Sequence, residues 1–275
     1  MTHVNGTTTV IAPEGTGSTW ADVWAYREVL YFVVWRDLRV RYRQMALGVA
    51  GAILQPFSTM VLFSLVFGLL AGVPSDGAPY PVFSYAGLVP WTYFAAAVAQ
   101  GAGSLVSSQS LLAKVYFPRL IVPLAAVTVP LVDAAVSMVM LALIMAWYGI
   151  APGFAILTLP GFALLGIVFS GAASIWLSAL NVKYRDVSFV VPVLIQFGLF
   201  ATPVAYPSSL VPEPWRWFYA LNPMTTVVDG FRWVLAGTPA PTLEMVVAST
   251  AAVALTLWLS LRYFRRMERV FADVL

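Results

Sequence analysis

Cysteine is absent from this 275-residue chain, histidine occurs once, at His3, and lysine twice, at Lys114 and Lys183. Without cysteine there is no disulfide framework and no thiolate nucleophile. One histidine near the start removes Ser-His-Asp and Cys-His arrangements and leaves no His/Cys/carboxylate cluster at metal-ligand spacing. The loop that cradles nucleotide phosphates needs a lysine followed by serine or threonine, yet Val115 follows Lys114 and Tyr184 follows Lys183. Catalysis by this chain is not expected, and any ATP-driven work must come from another polypeptide.

Charge is scarce as well. Only 10% of residues are charged and 60% are hydrophobic, with a mean hydropathy of +0.84, whereas soluble domains carry roughly 25% charge. Uncharged stretches long enough to cross a bilayer as helices recur. They run from Gln44 to Ser75, Gly77 to Ala113, Val187 to Pro212 and Met245 to Leu261, while Leu120 to Val182 holds one charge, Asp133, and a turn signal at Gly149–Gly153. The count is six transmembrane helices in an all-α membrane protein. Placing both termini in the cytoplasm puts 13 of the 15 Lys and Arg residues inside, with only Arg216 and Arg232 outside; this is the distribution that topology follows. The pI near 9.2 then reflects membrane orientation, and no nucleic-acid partner is implied.

Three regions are expected: a flexible leader over residues 1–19, an amphipathic interfacial helix over 20–44, and one transmembrane domain over 45–275. A possible capping box spans Thr19–Asp22. After it, Trp20, Trp24, Tyr31, Trp35, Leu38 and Tyr42 recur at helical spacing, with Arg36, Arg39 and Arg43 on another face. Such a helix fits the inner membrane interface, with membrane lipids on one side, and serves either as an anchor or as a docking surface. The connection from Tyr206 to Gly237 is too aromatic for a wet loop. Asn222 fits an N-cap, Pro223 a first helical position and Gly237 a stop, so a short re-entrant or gate helix is expected over Pro223–Ala236. Trp215, Trp217, Asn222, Pro223 and Phe231 form either an outer gate or an aromatic belt. Asp133 is read as structural, with Ser137 one turn away as its partner.

Residues 111–124, LLAKVYFPRLIVPL, join spans two and three on the cytoplasmic face. A short amphipathic coupling helix stopping before Pro118 would expose aromatic side chains to a partner; periodicity alone favours a loop that merely satisfies the basic bias. The segment AKVYFPRLIVPLA resembles the signature of ABC-2 type permeases, particularly the polysaccharide and polyol-phosphate export subunits. RYRQMALGVAGAILQPFSTMVLFSLVFG, LNVKYRDV, LNPMTTVVDGFRWVLAG and FRRMERVFADVL agree with that family in order. The resemblance implies the transmembrane subunit of an exporter for a lipid-linked polysaccharide such as O antigen or teichoic acid, located in the cytoplasmic (inner) membrane. It further implies a homodimer, two copies of a separate ABC ATPase subunit carrying ATP and Mg, and an undecaprenyl-linked glycan as substrate. Lys114, Val115, Tyr116, Phe117, Pro118 and Arg119 would couple to the ATPase. Arg39, Arg41 and Arg43 would contact lipid pyrophosphate or the partner, and Phe57, Phe63, Phe67, Phe197 and Phe200 are candidates to line a channel built from the first and fifth spans. A drug or small-lipid exporter of the same superfamily is the alternative; a membrane enzyme acting on lipid-linked sugars lacks a plausible catalytic set.

Overall fold

A computed structural model of the chain describes residues 20–43 and 48–268. The expected leader at 1–19, and Arg269 with the residues after it, lie outside the described residues. Among the described residues the regular elements are helical. They are α1 (Trp20–Ala25), α2 (Arg27–Arg43), α3 (Gly48–Phe63), α4 (Tyr80–Ser107), α5 (Gln109–Leu112), α6 (Ile121–Thr128), α7 (Pro130–Trp147), α8 (Leu159–Lys183), α9 (Val187–Ala201), α10 (Glu213–Leu221), α11 (Pro223–Ala236) and α12 (Leu243–Glu268). A wider, π-type coil continues α3 over Ser64–Leu70.

Among the described residues, five helical stretches are long and apolar enough to span a membrane: Ile53–Leu70, Tyr80–Ser107, Ile121–Trp147, Phe154–Lys183 and Leu243–Glu268. The expected span at Val187–Pro212 differs. It holds the 15-residue α9, about 22 Å of helix at 1.5 Å per residue, short of the roughly 30 Å hydrocarbon core. Proline is the cause. Pro203 disfavours helix at the residue before it, and Thr202 turns extended at ψ 138°. From Thr202 to Ala205 the chain is non-helical yet buried. α12 runs longer than its uncharged stretch because Arg265 and Arg266 lie in its last turn, where cations complement the helix dipole.

At the centre lies α4, with 72% of its spanning window buried and with α3, α6, α7, α8, α9 and α11 packed around it. Its approach to α8 depends on a missing side chain: a Cβ on Gly101 would sit 2.3 Å from the Ser174 Cβ. The same contact carries polar links. Ser174 Oγ donates to the Ala97 carbonyl at 3.1 Å and Asn181 Nδ2 to the Ala102 carbonyl at 2.9 Å. Lipid tails are as apolar as leucine, so small residues and interhelical hydrogen bonds of this kind hold membrane helices together.

Two clusters cap the bundle. One gathers Val23, Leu105, Phe117, Ile121, Ile175, Val182, Phe264 and Met267 near Lys114, Lys183 and Arg266; this is the basic end. The larger one, at the opposite end, joins α4 and α11 with the buried Val204–Ala205 segment.

Candidate functional site

The basic end is organised around the connection between α4 and α6. A helix of only four residues, α5, replaces the expected amphipathic helix. After it, Lys114, Val115 and Tyr116 project from the surface, Tyr116 with 67% of its area exposed. Phe117 turns the other way. It is 4% exposed and belongs to the basic-end cluster with side chains of α1, α8 and α12. Pro118 is half-buried, and Arg119 Nη1 donates to the Glu268 carbonyl at 2.9 Å. Of the six residues expected to meet a partner, three are therefore presented and two are tied inward.

The stretch expected to lie at the interface is helical, as α1 and α2, broken at Tyr26. Trp24, Tyr31, Phe32 and Trp35 are exposed while Val23 and Val33 are buried, and α2 packs on α6. Its arginines have distinct surroundings. Arg39 stacks over Trp35 at 5.7 Å, and Arg36 pairs with Asp37 at 2.8 Å. Arg41 pairs with Asp133 Oδ2 at 2.5 Å, and the Tyr42 hydroxyl donates to Asp133 Oδ1 at 2.6 Å. Burial, then the bond to Asp133, pushes the Tyr42 hydroxyl up to about 12, so it stays a donor. Asp133 thus finds partners on α2, and Arg41 is engaged by this carboxylate instead of standing free for a phosphate. The side chain of Arg43 lies outside the described residues.

At the opposite end, α11 occupies the interval marked by its cap and stop. Asn222 Oδ1 accepts from the Met224 amide at 3.1 Å, its Nδ2 donates to Thr202 Oγ1 at 2.9 Å, and Gly237 closes the helix at φ 74°. Except for Trp233, all its residues are buried, Phe231 included. Trp215 and Phe218 form a tilted pair, ring centroids 5.6 Å apart, on the exposed face of α10. The Trp217 side chain lies outside the described residues. The expected gate thus divides into a core helix and a surface helix.

Sequence reasoning missed Arg232. Counted only as an outer-side charge, it is 1% exposed. Its guanidinium lies 3.6 Å from the Phe83 ring centroid and donates to the carbonyls of Phe83 at 3.1 Å, Tyr206 at 3.2 Å, Pro203 and Val204. Asp229 is 4.0 Å away. Buried backbone acceptors need partners, and the irregular Thr202–Tyr206 segment has no helix of its own to supply them. Arg232 takes that role. One signal was legible: an arginine inside an apolar helix, three residues after an aspartate, on the side that positive charge otherwise avoids.

The aromatic candidates separate. Phe57 and Phe67 are half-buried against the central cluster and Phe63 is buried within it, its ring edge-on to Phe67 at 5.3 Å. Of these three, only Phe63 is fully enclosed by this chain's own core. Phe197 and Phe200 lie on the exposed face of α9 with Phe189, Val193 and Leu194.

Comparison with known proteins matches residues 28–236 to the family described as ABC-2 type transporter. The O-antigen export system permease protein RfbA of Myxococcus xanthus is 29% identical over 256 residues, 92% of this chain and 97% of that protein. An RfbA of Klebsiella pneumoniae is 25% identical over 250 residues, 90% and 95% of the two chains. The polysialic acid transport protein KpsM of Escherichia coli is 25% identical over 202 residues, 70% of this chain and 76% of that protein.

Proposed function

Because the chain belongs to the ABC-2 type transporter family, as a multi-pass membrane protein whose relatives are transport subunits, we propose that it is the permease of an exporter for a lipid-linked polysaccharide. Two copies pair in the cytoplasmic membrane, and each docks an ABC ATPase subunit that holds ATP and Mg. The basic end and both termini face the cytoplasm. Six crossings result when α9 and the buried Thr202–Ala205 segment are taken together as the fifth. The exposed Phe197 and Phe200 face the path shared with the second copy, and Arg39 receives the pyrophosphate of an undecaprenyl-linked glycan, because guanidinium forks match phosphate oxygens. The names of the relatives support a glycan of the O-antigen or polysialic-acid kind.

One observation carries the reading. Lys114, Val115 and Tyr116 form an exposed knob whose next residue, Phe117, is buried against α8 and α12. That arrangement suits a part that receives motion from outside and passes it into the spans. The test is reconstitution of the full chain with its ATPase and a purified undecaprenyl-linked glycan. Lys114→Ala with Tyr116→Ala should leave folding intact while abolishing glycan-stimulated hydrolysis and export. Export that continues without any ATPase subunit refutes the proposal.

A further inference from the structure

A cavity of about 200 Å³ opens at the end opposite the elbow, between the Pro207–Tyr219 connection, the start of α12 and the turn at Asp76. At roughly 30 Å³ per water it would hold about six or seven waters, the space one sugar ring displaces. Its polar groups come from three separate stretches of chain. Asp229 contributes a buried carboxylate at the floor, bonded to Ser208. Asp76 stands at the mouth and accepts from Ser209 Oγ at 2.9 Å. Arg216 and Tyr219 line the side.

The charges decide the class of ligand. Two carboxylates face two guanidinium groups, so the lining favours neither a simple anion nor a simple cation. Arg232 spends four of its N–H groups on backbone carbonyls, and Arg216 Nε donates to Val211 O at 3.1 Å. The carboxylates keep capacity, because each has about four acceptor sites. A neutral polyol fits this inventory: its hydroxyls donate to Asp76 and Asp229 and to the oxygens of the Ser209 and Tyr219 hydroxyls, whose own protons are already given to Asp76 and Tyr206. Its C–H face can lie on Pro239 and Pro241, which are part of the wall.

We propose that this cavity is a binding site for one neutral sugar unit. The proposal rests on the exporter reading for its biological setting, since a site on the far side of the membrane would hold the emerging glycan and oppose its return. Its chemistry is independent of that reading.

The test exploits the absence of native cysteine. Full-length chain carrying Ala240→Cys, at an exposed position of the cavity wall, in lipid nanodiscs, is probed by saturation-transfer NMR with the methyl glycosides of glucose, galactose, mannose, rhamnose and N-acetylglucosamine, and separately with choline and inorganic phosphate. At least one glycoside should bind the wild type and the unlabelled variant, and bind at least tenfold more weakly after a bulky maleimide is attached to the folded protein. Asp76→Asn should weaken it tenfold, the loss expected for a hydrogen bond to a charged group. Binding of no glycoside, unchanged binding after labelling, or label-sensitive binding of choline or phosphate in place of the sugars overturns the proposal. Because no ATPase or export is involved, failure here leaves the exporter reading intact, and ATPase-independent export leaves this site intact.

Discussion

Arg232→Met retains most of the side-chain volume and removes every donor. Four carbonyls, on Phe83, Pro203, Val204 and Tyr206, then lose their partner. At about 1–3 kcal/mol for each unsatisfied buried group, the naive sum is about 4–12 kcal/mol. That is an upper bound, because Tyr206 is half-buried and water can reach part of the segment. Breaking one side of a buried charged network costs about 3–5 kcal/mol, and this is the expected loss. At roughly 2–4 °C per kcal/mol, the unfolding midpoint in detergent should fall by roughly 6–20 °C, with amide protection lost first at residues 202–206. Two controls identify the cause. Arg232→Lys keeps the charge but offers three donors from one point, and should fall between wild type and Met. Adding Asp229→Asn to Arg232→Met should recover part of the loss, since Asp229, 4.0 Å from the guanidinium, is otherwise left a buried carboxylate without its cation, but the four carbonyls still lack donors. A midpoint within 2 °C of wild type, or full recovery in the double variant, refutes carbonyl satisfaction as the role of Arg232.

At the elbow, Phe117→Ala should cost about 3–5 kcal/mol by emptying a core site, whereas Tyr116→Ala should stay within about 0.5 kcal/mol and affect only coupling; chemical unfolding alongside ATPase assays separates them. Gly101→Val drives side-chain atoms into Ser174 and should destabilise by about 1–3 kcal/mol, read from the unfolding midpoint, while Gly103→Ala, with open space around it, should not. A double-mutant cycle with Asp133→Asn and Arg41→Met should give a coupling energy of about 1 kcal/mol, at the low end for contacting residues because Arg41 is about one-third exposed; additive effects would mean that the pair does not hold α2. Asn222→Ala should cost about 1 kcal/mol for the lost cap, more if the bond to Thr202 also contributes, and protection should drop at the start of α11.

Much of the architecture was legible in one dimension. Uncharged length located the spans, because the cost of charge in hydrocarbon leaves its mark on sequence spacing. Cap chemistry located α11, since Asn222, Pro223 and Gly237 each perform a local task that depends little on the rest of the fold. The elbow was located for a similar reason: Pro118 and the sudden return of charge interrupt an apolar sequence. What failed to show was which way the elbow's residues turn. Val115, Tyr116 and Phe117 are all apolar-bodied neighbours, and only the position of α12, more than 120 residues further along, decides that the third is covered.

The larger misreadings share a cause. Arg41, Asp133 and Arg232 were each judged against an averaged surrounding, water, headgroup or hydrocarbon, whereas in the fold each is judged against a particular neighbour. For Asp133 only its own helix was considered, whereas two partners come from α2, 91 and 92 residues earlier. Arg232 was only counted on the outer side, with no partner assigned, yet the non-helical segment after α9 leaves carbonyls that a buried donor must meet. The two oddities explain each other: a break in α9 without Arg232 would leave orphaned acceptors, and Arg232 without the break would keep Asp229 nearby but lose the Pro203, Val204 and Tyr206 carbonyls that take up its N–H groups. A single sequence presents both as isolated exceptions. Their joint presence, with Pro203 ending one helix and an arginine placed mid-way along another, is the pattern to seek when a span is too short for the bilayer it should cross.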